Sequence, residues 1–254
     1  MSHDFNGFSK EMVESFFDEL SKELKKEFGR NASVELIVVG GASILLNYHF
    51  RNSTIDIDAV VASRMSIKDA INRVGDKFSL PNGWLNSDFR QTKSYSPKLI
   101  QYSKFYKSYN QVLTVRTIEA EYLVAMKLTS LRPYKNDKSD IVGIIQEEES
   151  RRPLSYEKID KAVIALYGAW EKLPKSASDQ LNNILRNIEN PRLYAEIKEE
   201  EENSKELLQD FESQYDNVLK EDNLDEILLS LKQKESTVFK PKKEKHHKSI
   251  GPEW

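Results

Sequence analysis

Cysteine is absent from all 254 residues, which excludes disulfides, thiolate metal sites and cysteine nucleophiles and suits a reducing compartment. Long apolar runs are missing too. None approaches the roughly 20 residues that a membrane span needs, so no membrane partner is expected. Charge of one sign is lacking: 38 Lys and Arg stand against 41 Asp and Glu, a formal net charge of -3. That balance offers no global attraction for nucleic acid or an anionic bilayer. The four histidines, His3, His49, His246 and His247, have no metal-ligand spacing. Neither a Walker-type Gly-Lys-Ser/Thr nor a G-x-S-x-G is present. The opening "MSHDFNGFSKEMVESFF" is polar and acidic, unlike a secretory signal. A cytoplasmic protein is expected.

What remains is polar for a globular chain, with 31% charged and 39% hydrophobic residues, a bias that goes with surface-rich helices. Met12, Val13, Phe16, Phe17, Leu20, Leu24 and Phe28 recur at helical spacing. "VELIVVGG" reads as a buried strand ended by Gly40 and Gly41, "ASILLNYHF" as a compact helix, and "STIDIDAVV" as a second strand. Ser66 is a candidate cap for a helix over "IKDAINRVGDKF", and "LPNGWLNSDFRQ" is loop-like. "KLIQYSKFYK" and "QVLTVRTI" predict two strands joined near "SYN". A helix over "EAEYLVAMKLTSLR" is stopped by Pro133, and "DKSDIVGIIQEEE" restarts one with Asp137 as its cap. This order predicts an α/β (α+β) fold, a mixed sheet flanked by helices. The chain divides into a domain over residues 1–150, a helical extension over 151–195, and an acidic helical segment with a basic tail over 196–254. The acidic part is readable as an exposed helix, a partner-binding helix or disorder. No internal repeat is visible.

The unusual feature is Asp56 and Asp58 within an otherwise apolar strand pattern. Strand side chains alternate, so the two carboxylates share one face while Ile55, Ile57 and Ala59 face the core. Like charges so close repel, and burying them is costly without a cation. Mg²⁺ fits, because it takes one or two carboxylates and completes its shell with water and nucleotide phosphates. The plainer reading is the solvated face of an edge strand. Upstream, Gly40 and Gly41 open a helix whose amides can approach a phosphate, and Ser43 adds a hydroxyl.

"GGAS" followed by "FRNSTIDID" resembles the signature of the polymerase-β-like nucleotidyltransferase superfamily. The Arg and Thr before "DID" resemble an uncharacterised bacterial group close to the abortive-infection AbiEii toxins. "GWLNSDF" and "EAEYLVAMKLTSLRPYKNDKSDI" are similar to two further elements of that group, so the resemblance spans roughly residues 35–150. It implies Mg²⁺ (or Mn²⁺) on Asp56 and Asp58, an NTP such as ATP held by Gly40, Gly41 and Ser43, and transfer to a hydroxyl of RNA or protein. It further implies a toxin neutralised by an antitoxin-like partner. Arg51 would reach a phosphate, brace the loop or pair with a carboxylate, and Thr54 would cap the strand. Lys127 would bind the triphosphate or snorkel to solvent. Asp140 would orient Lys127 or act as base. The third carboxylate common in the superfamily is missing from "QVLTVRTI", leaving Asp88, Asp137, Asp140, Glu119 and Glu121 as substitutes. Without one, the chain would be a nucleotide-binding module that has lost transfer. "RQTKSYSPK" and "YSKFYKSY", with Tyr95, Tyr102, Tyr106 and Tyr109, form either an RNA-stacking surface or the outside of a hairpin.

Overall fold

The computed structural model describes residues 7–63, 65–220 and 223–238. His3, His246, His247 and the basic tail lie outside the described residues. The first helix, α1 (Lys10–Phe28), starts where the Ser9 hydroxyl accepts the Met12 amide, and it ends at Gly29, whose φ of 81° suits glycine. Strand β1 (Val34–Val38) leads into α2 (Gly40–Asn47), and β2 (Ile57–Ala62) into α3 (Lys68–Phe78). The two-residue β3 (Leu85–Asn86) precedes a hairpin of β4 (Ser103–Tyr109) and β5 (Leu113–Ile118). Asn110 and Gln111 both take positive φ at the hairpin turn, the conformation that matches strand twist there. The remainder is helical: α4 (Ala120–Leu128), α5 (Asp137–Glu148), α6 (Tyr156–Tyr167), α7 (Ala177–Asn187), α8 (Leu193–Gln214) and α9 (Leu224–Val238).

The sheet has the order β3-β2-β1-β5-β4. β1 runs antiparallel to β2 and parallel to β5, β3 is parallel to β2, and β4 is antiparallel to β5. The expected mixed sheet flanked by helices is therefore the fold observed. Alternation along the strands divides its core in two. Val34, Leu36, Val38, Ile57 and Ala59 pack with α1 and α3, whereas Ile37, Val39 and Val60 join α4, α5, α6 and α7. Asp58, two residues before Val60 in β2, is thereby directed to the α4 side of the sheet.

Several local expectations change. Strand β2 begins at Ile57, so Asp56 precedes it, and Ile55 is 63% exposed instead of facing the core. The reason is local: Thr54 is tied back to Phe8 by an isolated bridge, and its hydroxyl donates to the Asp56 carbonyl at 3.1 Å. The cap of α3 is Ile67, not Ser66, and no side chain bonds there. Asn136, not Asp137, caps α5. The stretch Pro97–Tyr102 is 3-10 helix, so β4 starts only at Ser103. A boundary at residue 150 does not interrupt the packing, since α4, α5, α6 and α7 share one hydrophobic cluster that reaches Ile197. In α8 the buried residues Ile197, Glu201, Ser204 and Leu208 fall at helical spacing on one face. That acidic helix is a packed element of the fold.

Gly143 of α5 has no room for a side chain: an added Cβ would lie 2.6 Å from atoms of the Phe50 ring. Phe50 is itself held against Tyr48 and Tyr194, with centroids 5.7 and 5.4 Å away. Gly143→Ala is expected to destabilise the chain by about 1–3 kcal/mol despite alanine's better helix propensity. Urea unfolding of the two proteins measures it; equal stability would mean that the ring moves freely.

Candidate active site

The turn from β1 to α2 forms the floor of the site. Gly40 adopts φ +58°, and a Cβ there would stand 3.6 Å from Asp58 Oδ2. The Val39 amide donates to the Asp58 carbonyl at 2.9 Å, so the helix start and the acidic strand are bound to each other. At Gly41 an added Cβ would lie 2.7 Å from an Arg51 guanidinium nitrogen and 3.1 Å from Thr54 Oγ1. The close approach that this glycine permits is taken by Arg51. Ser43 is fully buried, and its hydroxyl accepts the Ile118 amide at 3.1 Å. It ties α2 to β5 and is not open to a phosphate.

Pairing of β2 with β3 supplies the next group. Asp58 stands opposite Asn86, and the 3-10 turn Asp88–Gln91 follows directly. The short strand was read from sequence as loop, yet it brings Asp88 to the site. Half-buried Asp58 has its carboxyl pushed up to about 6, first by burial and then by the charges of Asp56 and Asp88; the Phe89 amide and Lys127 pull the other way. The other substitutes for a third carboxylate are engaged elsewhere. Glu121 pairs with Arg152, Asp137 and Asp140 are paired with cations, and Glu119 stands at the N-terminus of α4.

Those pairs make an alternating ionic lattice. Arg51 Nη1 donates to both Asp140 oxygens at 2.9 and 2.6 Å, and its Nε to the Ser53 carbonyl. Lys127 Nζ lies 2.8 Å from Asp140 and 2.9 Å from Asp137. Arg132 then holds Asp137 through its backbone amide and two guanidinium contacts at 2.8 and 3.1 Å. Burial alone would lower the Lys127 pKa, but Asp140 and Asp137 more than offset it and leave it raised. Asp137, fully buried, is held well below the usual carboxylate range because Lys127 and Arg132 outweigh its burial. Of the alternatives for Lys127, free snorkelling to solvent is not what the fold shows. The ammonium is largely enclosed and its charge reaches Asp58. Lys135, between α4 and α5, is held below its ordinary pKa by burial and by Arg132 and Lys205, against the pull of Asp137 and Asp56. Lys135 had no signal in the sequence beyond a polar turn after Pro133, and Arg132 had none beyond its place in the stretch "EAEYLVAMKLTSLRPYKNDKSDI" that resembles the family element.

Asp58 therefore lies beside Gly40 at the start of α2, crowded by the charges of Asp56 and Asp88 and drawn on by Lys127, while Asp56 acts on Lys135. The aspartates' donor set suits a hard divalent cation: a crowded carboxylate pair that a positive charge would relieve. Among the described residues no group of three His, Cys, Asp or Glu side chains is placed to hold a metal alone. Two carboxylates completed by phosphate and water are the usual Mg²⁺ arrangement. The tyrosines read as either an RNA platform or the outside of a hairpin are mostly engaged. Tyr102 stacks on Tyr122, Tyr106 donates to Glu14, and Tyr95 packs on Phe89.

A Gly-Gly helix start beside an acidic strand, on a mixed sheet covered by helices, is the layout of a nucleotidyltransferase. A family model described as "Nucleotidyltransferase of unknown function (DUF6036)" matches residues 15–172. The chain belongs to that family, whose general chemistry is transfer of a nucleotidyl group from an NTP. No curated protein and no solved structure matches it. Among the described residues no helix is long and apolar enough to cross a membrane.

Proposed function

We propose that the chain transfers an NMP from an NTP to a hydroxyl of RNA or protein, with Mg²⁺ held by Asp56 and Asp58. The observation that carries this is the crowding of Asp58 by the charges of Asp56 and Asp88 beside Gly40, with Lys127 drawing on the same carboxylate. A Mg²⁺ bound there offsets charge on the α-phosphate and on the leaving pyrophosphate. Free amides of the first turn of α2 and the Lys127 and Lys135 ammonium groups receive the phosphates. Arg51 acts indirectly, by fixing Asp140 and filling the space over Gly41. The acceptor oxygen attacks the α-phosphorus in line as the bond to pyrophosphate breaks. In this reading Asp88, which is exposed and whose charge acts on Asp58, takes the hydroxyl proton. The motif resemblance carries the setting of a toxin held by a partner protein.

A second reading is a nucleotide-binding module that no longer transfers. It draws on the lack, among the described residues, of a three-ligand metal cluster. One experiment separates the two. Each α-labelled NTP is incubated with Mg²⁺, total RNA and total protein, using wild type and Asp56→Ala/Asp58→Ala. Label on RNA or protein that the variant loses is the expected result. Binding of Mg²⁺-NTP without transfer would favour the second reading, and absence of both would overturn the site.

A further inference from the structure

α8 lies outside the segment matched by the family, yet it touches the ionic lattice's supports at two points. Glu201 is 4% exposed and turned toward the start of α5. Its Oε1 accepts the Lys138 amide at 2.8 Å and the Ser139 amide at 3.3 Å. These are first-turn N–H groups, which have no partner within their own helix. The local sequence leaves them open as well, because the capping residue Asn136 makes no side-chain bond. α8 therefore caps α5 from a distance. The same turn of α5 carries Asp137 and Asp140, the two anions of the lattice. Two helical turns earlier in α8, the Tyr194 hydroxyl donates to the Phe50 carbonyl at 3.1 Å, one residue from Arg51.

Holding a carboxylate there is costly. Burial pushes its pKa up to about 7 against the lowering effects of the two amides. Ser139 Oγ and Glu201 Oε2 are both buried and outside hydrogen-bonding geometry with any described atom. A well-packed apolar residue would avoid that cost, but it would orient nothing.

We infer that Glu201 is a positioning residue: through the first turn of α5 it holds Asp137 and Asp140 on Lys127, while Tyr194 steadies the Arg51 loop. The functional importance of this rests on the reading of Lys127 as a phosphate ligand. The contact itself can be tested without any nucleotide.

The test is pulse labelling of the full chain with dilute acetic anhydride, reading the rate at Lys127 by mass spectrometry relative to exposed Lys25. Loss of the cap in Glu201→Ala should speed Lys127 labelling about fivefold, the population shift expected from an N-cap deletion. Glu201→Gln keeps the accepting oxygen and should label within about twofold of wild type. Glu201→Asp keeps the charge but falls one methylene short of the amides, and it should label faster than Gln. This variant decides the matter if Ala does not fold. Equal Lys127 rates in wild type, Gln, Asp and any folded Ala variant would overturn the proposal, as would a Gln variant no slower than Asp. Mg²⁺-NTP calorimetry on the same proteins is a separate readout. If wild type binds no NTP, the functional reading fails while the labelling result still stands.

Discussion

Lys127→Met is expected to lower stability by about 3 kcal/mol and to weaken Mg²⁺-NTP binding by at least about tenfold. The stability term follows from the lattice. Methionine retains the apolar stem of the lysine, so packing in α4 is largely kept. What disappears is the cation between a fully buried Asp137 and a nearly buried Asp140. Removing one member of a buried ion pair costs about 3–5 kcal/mol because the partner stays behind unpaired. The lower end applies here, since Arg132 remains on Asp137 and Arg51 on Asp140. The binding term has a different origin. An ammonium has three donors; Asp137 and Asp140 occupy two, leaving one for a phosphate oxygen beside Asp58. Urea unfolding and calorimetry measure the two effects separately. If stability falls but NTP affinity does not, Lys127 is a structural cation and the phosphate role passes to Lys135. Lys135→Ala should do the reverse, weakening binding with little change in stability.

Mg²⁺ titrated into the chain alone should bind with a steep acid limb. Burial, Asp56 and Asp88 raise the Asp58 carboxyl to about 6, so below that pH a proton occupies the oxygen that the metal needs. Metal and proton compete, and each further unit of acidification should cost about tenfold in apparent affinity. Above about pH 7 the profile should level off, because Asp58 is then already ionised. The sign is opposite to that of a carboxylate stabilised by a cation, which would remain ionised well below pH 4. Asp58→Asn should flatten the profile and lower affinity at every pH. A wild-type profile that stays flat to pH 5 would remove Asp58 from the metal site. Using the metal alone keeps titration of the nucleotide's own phosphate out of the measurement.

Much of the framework was legible because it is written in local patterns. "VELIVVGG" is apolar at every position that the two cores bury, and its glycines mark where the backbone turns into α2. The period of α1 and the apolar run of α4 are likewise local. β3 was not legible: two residues have no period, and Leu85 and Asn86 become strand only because Ile57 and Asp58 lie alongside. The α8 stripe was hidden for another reason. Two of its four buried residues are Glu201 and Ser204, so burial there follows a helical period that hydrophobicity does not.

At the site, the sequence by itself determined which chemical groups are present and which elements carry them: glycines at a helix start, aspartates at the next strand, a lysine inside an apolar helix and an acidic pair one turn apart. These are choices of residue type within short windows, where helix and strand geometry are already set. Only the tertiary structure decided how the charges are shared. Asp137 and Asp140 went to Lys127, Arg132 and Arg51, Asp88 came to Asp58, and Ser43 was withdrawn into the core. Glu201 reached the α5 amides from 63 and 62 residues away. The physical reason is that a buried ionisable group is set by whichever partners the packing brings within a few ångströms, and those partners are distant along the chain.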